Sequence, residues 1–413
     1  MKKAVAFTIC AKNYLAQALT LRASFLRNNP DIDFYLFLSD SPPDEELHAV
    51  IPVDDSIVPN CKSLAFKYNV IEFSTCVKPF CIDCLFNRGY DIVMYIDPDV
   101  YVYDRLDSLI DALASYSIVL TPHRIAMLAH EEGLVSNVQI AQNGVYNLGF
   151  AALKNDGVGR KIVDWWKERL IQACYLEFSE GLATDQKWMD CIPGYFPRET
   201  LISHDAGLNV AIWNLVEREI VLKDGRPYVK NKETNEEFVL KFFHFSGCSP
   251  HKIERLLAII REKDKSNRGP FAILASEYLK QVSANGYSRY SKMTYAYDAF
   301  EDGTLILPIN RRLYRVNEAE WAKDPDPFLC SGSVYSIFKK SGLLSKKRIA
   351  ATRDANVSPG FPGETKSRWF LRIYRIMRVV NFFLGIDRYQ KVVRGICGHL
   401  AHFENQQFLI RKH

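Results

Sequence analysis

The sequence predicts an α/β protein: a mostly parallel sheet with helices on both faces, followed by a small, mainly helical C-terminal appendage. Three observations carry this. Short apolar, β-forming runs alternate with amphipathic helical stretches from residue 4 onward, the βαβα rhythm of a sheet covered on both faces. The run Ile92–Ile96 is continuously apolar, as a strand buried on both sides must be. From about Ser266 the alternation stops, which sets the first block apart from the C-terminal third of the chain. A chain of 413 residues with 48% hydrophobic and 24% charged residues is long enough to bury a large core.

Taken in order, Met1-Lys2-Lys3 followed by Ala4–Cys10 has the outline of a signal peptide. The apolar stretch is short and runs into Lys12-Asn13 without a small-residue cleavage site, so it reads as the first strand. Asn13 is expected to cap a helix to about Leu26, with Leu15, Ala18, Leu19, Leu21 and Phe25 on its buried side. Asp33–Leu38 reads as a second strand closed by Ser39-Asp-Ser-Pro-Pro43. A helix over 74–87 ends at Gly89, and the strand Ile92–Ile96 comes after it. A helix near 106–114, a strand over 117–120 and a strand over 143–154 come next. The last contains Gly144 and Gly149, and glycine within a strand marks close approach by another group. A long helix to about Cys174 is expected to bury Trp165 and Trp166, and Thr184 to cap a helix reaching Asp190. Residues 223–241 read as a polar hairpin and 242–247 as a last short strand and turn. The expected division is a βα-alternating block over 1–265, an accessory irregular or helical segment over 266–338, and a basic tail over 339–413.

Charge is unevenly spread. Residues 339–413 hold 16 Lys and Arg against 4 Asp and Glu, while the rest holds 37 against 44. A Ser-, Gly-, Pro- and Lys-rich linker over 341–366 leads to a helical pattern over 368–384. There Arg368, Arg372, Arg375 and Arg378 recur at helical spacing opposite Trp369, Phe370, Ile373, Ile376, Met377, Val380 and Phe383. Such a face fits an anionic membrane surface, whose attraction is about 1 kcal/mol per basic residue and weakens with salt. Packing of the apolar side on the body is the competing reading. No nucleic-acid module accompanies the charge. No run approaches the ~18 apolar residues a membrane span needs, and the chain reads as cytoplasmic, at most peripheral to the inner face of the membrane. Of the ten cysteines several, such as Cys10, Cys174 and Cys397, lie in apolar runs, as reduced packing cysteines do, and Cys81-Ile-Asp-Cys84 has no matching second pair.

The chemistry centres on Asp97-Pro98-Asp99. Two carboxylates one residue apart at the carboxyl end of a buried strand stand where open α/β sheets bind ligands. A proline between them favours a bend that lets both converge on a hard divalent ion. A bare D-x-D is common, so the surrounding pattern decides. It runs through Thr8…Tyr14, Lys78-Pro-Phe, Tyr95-Ile-Asp-Pro-Asp-Val, Tyr146-Asn-Leu-Gly149, Asp185-Gln186 and His244-Phe-Ser-Gly247. With these segments in this order, the chain resembles a GT-A glycosyltransferase, similar to the retaining family 8 type found in bacterial polysaccharide biosynthesis.

That resemblance implies specific roles. Asp97, Asp99 and His244 correspond to the metal ligands, for Mn²⁺ or Mg²⁺. Lys78 corresponds to a basic residue near donor phosphate or sugar, Thr8 and Tyr14 to the nucleobase pocket. Asn147 and Gly149 match the turn that holds donor-sugar hydroxyls, Asp185 and Gln186 the pair beneath the donor sugar, and Gly247 closes the His-x-x-Gly motif. The family's basic residue after that motif is out of register: Pro250 stands there, with Lys252 nearby. The implied partners are a nucleotide-sugar donor, UDP-sugar favoured, and a glycan or lipid-linked glycan acceptor, in cell-surface polysaccharide or glycolipid synthesis. The resemblance favours retention, with Asp185 acting at the anomeric carbon, whereas an inverting enzyme would use a carboxylate as general base. Two other readings stand beside it. One is a non-catalytic nucleotide- or glycan-binding protein. The other is a sugar nucleotidyltransferase, against which the absence of glycine in Thr8-Ile-Cys-Ala-Lys-Asn13 counts.

Overall fold

The computed structural model describes residues 3–42, 50–127 and 134–344, with scattered residues between 375 and 410. The expected linker over 341–366 lies almost wholly outside the described residues; of the arginine-spaced stretch over 368–384, residues 375–377, 379, 380, 383 and 384 are described, all helical. Among the described residues no helix is long and apolar enough to cross a membrane.

The chain divides into two compact units, one of residues 1–61 and 70–296, the other of residues 62–69 and 297–413. The first is built on a seven-stranded sheet. Its strands are β1 (Ala4–Cys10), β2 (Asp33–Leu38), β3 (Val50–Pro52), β4 (Ile92–Ile96), β6 (Ile118–Pro122), β7 (Tyr146–Lys154) and Thr200–Ile202, while β5 (Val100–Val102) lies in a second sheet. The order across the sheet is Thr200–Ile202, β6, β7, β4, β1, β2, β3. All pairings are parallel except those of β7, which runs antiparallel to both β4 and β6. This is the α/β class expected. Every residue of β4 is buried, which is why its sequence is an unbroken apolar run rather than an alternating one.

Helix Leu15–Asn28 covers one face through Leu21 and Phe25, which pack with Phe34, Met94, Val102, Phe150 and Phe242. Its start differs from expectation: Asn13 lies in a 3₁₀ turn, Lys12–Tyr14, and no side chain caps the helix. Trp166 is buried in helix Gly157–Ala173 as expected, but Trp165 is only partly covered. The polar segment near residue 230 is a three-stranded antiparallel meander, Arg218–Lys223, Arg226–Asn231 and Glu237–Val239, rather than a simple hairpin.

Helix Arg268–Ala284 belongs to this first unit, although sequence alternation stops before it. Its Phe271, Leu274, Ala275 and Tyr278 join a core with Phe243 and Phe245, and the Tyr278 ring stacks on Phe245 at 4.3 Å and 7°. Helices Ile253–Lys263 and Arg268–Ala284 follow the last strand with no further strand to alternate with, and the first compact unit runs on to residue 296.

The second unit has an aromatic centre. Phe66 packs against Tyr314 at 4.9 Å, Phe328 at 5.2 Å and Phe300 at 5.7 Å, with Trp321 edge-on to Phe338 at 5.4 Å. Buried Arg311 donates from Nη1 to the carbonyls of Ala65 (3.0 Å), Phe66 (2.9 Å) and Tyr68 (2.6 Å). Those are the carbonyls a helix end leaves without partners, so the guanidinium closes the segment over 62–69.

Candidate active site

Asp97 and Asp99 are brought together by a turn. The Val100 amide donates to the Asp97 carbonyl at 3.1 Å, with Pro98 at the position a β-turn favours. The chain leaves β4, reverses at this turn, and enters β5. There it pairs antiparallel with Phe242–His244, setting His244 opposite Val100. The Phe245 amide then donates to the Asp99 carbonyl at 2.8 Å, closing the ladder beside the turn. A residue distant in sequence thus lands next to the D-x-D because two three-residue strands share a register.

The result is compact. His244 Nε2 lies 3.0 Å from Asp99 Oδ1 and 3.6 Å from Asp97 Oδ2, and the imidazole is buried. Among the described residues these three form the one grouping that could hold a metal ion, with ligand atoms within 4.8 Å of one another. That spread is close to what one ion bonded at about 2.0–2.3 Å to each donor spans, and two carboxylates with one imidazole are donors a divalent ion accepts. Burial pushes the His244 imidazole down, but Asp99 and Asp97 beside it hold it above its ordinary value. Among the described residues no three-ligand grouping forms at Cys81 and Cys84, whose sulfurs are free thiols.

Gly149 explains how His244 fits. A Cβ on Gly149 would stand 2.4 Å from His244 Cε1 and 2.7 Å from both His244 Nδ1 and Asn147 Oδ1. The close approach that a glycine in a strand signals is therefore that of the imidazole ring. Gly149→Ala should displace His244, costing about 1–3 kcal/mol of stability by overpacking and weakening Mn²⁺ binding. Thermal melts and Mn²⁺ titration calorimetry check this; unchanged metal affinity would show that the ring has room to move.

A second group adjoins the first. Asp185 and Lys78 are both buried, with Lys78 Nζ donating to Asp185 Oδ2 at 2.9 Å and to the Leu148 carbonyl at 3.0 Å. The same ammonium lies 4.4 Å from the centre of the Tyr95 ring, whose hydroxyl donates to Asp97. Burial pushes Lys78 down, but Asp185 and Asp97 hold it above its ordinary range. Burial pushes Asp185 up, and Lys78 offsets that only in part. The ammonium expected near a donor phosphate is thus committed to Asp185.

Asp185 owes its place to strain. Thr184, expected as a helix cap, adopts φ 49°, a left-handed conformation that β-branched residues rarely take. It caps nothing; the helix Gln186–Met189 begins after Asp185 with no side-chain cap. The reversal at Thr184 is held by its amide, which donates to the Tyr175 carbonyl at 2.9 Å.

Asn147 and Gln186 are engaged with the chain itself. Gln186 Oε1 accepts from the Leu148 amide at 3.1 Å, and its Nε2 donates to the Asn143 carbonyl at 3.0 Å. Asn147 Oδ1 accepts from the Gly149 amide and from Asn209 Nδ2, both at 3.0 Å, while its Nδ2 faces His123 Nε2 at 3.2 Å. Burial pushes His123 down to about 4, so the ring is neutral at physiological pH and can accept from Asn147.

Asp97, Asp99, His244, Lys78, Asp185, Gln186, Asn147 and Gly149 are thus linked through direct contacts. Thr8 is fully buried within β1, its hydroxyl without a hydrogen-bond partner among the described residues, and Tyr14 is 39% exposed at the end of the 3₁₀ turn. Gly247 turns the chain after His244 at φ 70° with open space where a Cβ would stand. Lys252 is exposed at the start of helix Ile253–Lys263.

Sequence reading missed His123, Asn209 and Trp213. None sits in a motif; Asn209 owes its place to a left-handed backbone, φ 49°, that no residue pattern announces. It also missed Asp40, which is buried after β2 and accepts from the amides of Lys12 (3.2 Å), Ser41 (2.8 Å) and Ala296 (3.0 Å). By its composition the run Ser39-Asp-Ser-Pro-Pro43 reads only as a turn.

No protein-family profile matches the chain. It is similar to two Bacillus subtilis (strain 168) proteins, both themselves uncharacterized. YfnF is 26% identical over 253 residues, which is 58% of this chain and 80% of YfnF. YfnD is 26% identical over 155 residues, 37% of this chain and 45% of YfnD. Among solved structures, the galactosyltransferase LgtC in complex with donor and acceptor sugar analogs superposes with a TM-score of 0.39 at 16% identity, over 68% of this chain and 95% of that one. A glycosyltransferase involved in glycosylation of the major capsid of PBCV-1 gives 0.34 at 13% identity, over 61% and 98%. Mouse xyloside xylosyltransferase 1 gives 0.36 at 12%, over 59% and 98%.

Proposed function

We propose that this protein is a metal-dependent GT-A glycosyltransferase that moves a sugar from a nucleoside diphosphate donor, UDP-sugar favoured, to a glycan acceptor with retention. The observation that carries this is the convergence of Asp97, Asp99 and His244 at the carboxyl end of a mostly parallel sheet. The buried Asp185–Lys78 pair is linked to that group through Tyr95. A bound divalent ion supplies Lewis-acid stabilisation of the diphosphate leaving group, an effect worth several kcal/mol.

The chain's own residues do the rest. Lys78 opposes the rise that burial imposes on the Asp185 carboxyl, and so favours the carboxylate form where positive charge develops at the anomeric carbon. Gln186 and Asn147 fix the backbone of 143–149 on which Gly149 and the His244 ring depend. The buried setting strengthens each of these interactions relative to water.

The test is nucleoside diphosphate release from UDP-, dTDP-, GDP- and ADP-sugars, with Mn²⁺ and with EDTA. One donor should be hydrolysed slowly without any acceptor, and EDTA should stop it. Silence across the panel, with no thermal stabilisation by any of the nucleotides, would overturn the reading.

A further inference from the structure

Trp213 presents a buried polar group for which the fold itself has no use. The residue is 9% exposed, and its indole N–H has no hydrogen-bond acceptor among the described residues. Buried tryptophan N–H groups usually find a partner, because an orphaned donor is costly. Among the described residues Trp166 Nε1 is likewise without one, but it is Trp213 whose ring stands against two histidines of the site. The ring's surroundings are those of the active site. It stands T-shaped against His244 at 5.1 Å and 83°, and against His123 at 5.7 Å and 66°. One neighbour belongs to the metal-ligand group and the other faces Asn147.

The backbone fixes this position from two sides. Trp213 closely follows the strand Val210–Ala211, in which Ala211 is in register with His244. Its carbonyl accepts from Arg124 Nε at 3.3 Å. Packing between two imidazoles needs only an aromatic face, which phenylalanine also provides. Tryptophan adds one thing, a donor N–H, on a ring that stands against both imidazoles.

We propose that Trp213 is a substrate-binding residue whose indole N–H donates to an oxygen of the nucleotide sugar held at Asp97, Asp99 and His244. The inference rests on the glycosyltransferase reading. A diphosphate oxygen and a sugar hydroxyl share the required chemistry, and they can be separated by experiment.

The full chain is titrated with Mn²⁺ and either the nucleoside diphosphate or the nucleotide sugar that the donor panel selects, as wild type and as Trp213→Phe. Loss of a hydrogen bond to a neutral hydroxyl should weaken the nucleotide sugar about three- to tenfold and leave the diphosphate unchanged. Loss of one to a charged phosphate oxygen should weaken both, by about tenfold or more. Equal affinity of wild type and variant for both ligands overturns the proposal. Failure of the wild type to bind either ligand removes the transferase reading and this proposal with it. Should the Phe variant not fold, replacing Trp213 by benzothienylalanine keeps the bicyclic ring and deletes only the N–H, with the same outcomes expected.

Discussion

Asp99→Asn will abolish sugar transfer while leaving the fold intact. The Asp99 carboxylate points toward His244 Nε2 at 3.0 Å, and its backbone carbonyl holds the Phe245 amide. Asparagine preserves the shape and the backbone contact but removes the charge that a divalent ion requires. If metal stabilisation of the leaving diphosphate contributes about 4 kcal/mol, its loss lowers turnover about a thousandfold. The melting temperature should move by only a few degrees, because the side chain is partly solvated and the substitution nearly isosteric. Mn²⁺ affinity, by calorimetry, should fall in parallel with donor hydrolysis. Turnover near the wild-type rate would sink the assignment of Asp99 as a ligand and the proposed function with it.

The parts legible in sequence are those written in local pattern. The apolar run of β4, the bend at Pro98, and the glycine at 149 each announce themselves within a few residues. What each one meets is not local. That Gly149 clears the His244 ring depends on β7, β5 and Phe242–His244 coming together across the chain. The role of Lys78 is legible as a charge near the site, but its partner is not, because Asp185 is delivered by a strained turn at Thr184. Threonine before a helical pattern is ordinarily a cap, and the rule fails here where tertiary contacts override it. The same holds for Asn209 and Trp213, which carry no motif and act only through side chains brought from elsewhere. Helix Arg268–Ala284 falls outside the block that alternation delimits, yet its aromatic face completes the core of the first unit.

Lys78→Met should destabilise the protein by about 3–5 kcal/mol, because it leaves Asp185 as a buried charge without a partner. The sign with pH comes from burial, which raises the Asp185 carboxyl above its usual range even with Lys78 present. Without Lys78 that rise is larger, so the folded state binds a proton that the unfolded state does not over the interval between their two values. The loss is therefore full at neutral pH and shrinks as pH falls and Asp185 is protonated. Adding Asp185→Asn to Lys78→Met removes the buried charge and should recover much of the stability at neutral pH, while Asp185→Asn alone leaves Lys78 stranded. Denaturant melts of the four proteins at neutral and mildly acidic pH complete the cycle. A Lys78→Met variant as stable as the wild type at neutral pH would mean that Asp185 reaches water or another cation. Activity adds the functional arm: the double variant should be folded but unable to hydrolyse donor, since the carboxylate proposed to act at the anomeric carbon is gone. A folded, active double variant would place that carboxylate elsewhere. The two outcomes separate what the ion pair does for the fold from what Asp185 does for the reaction.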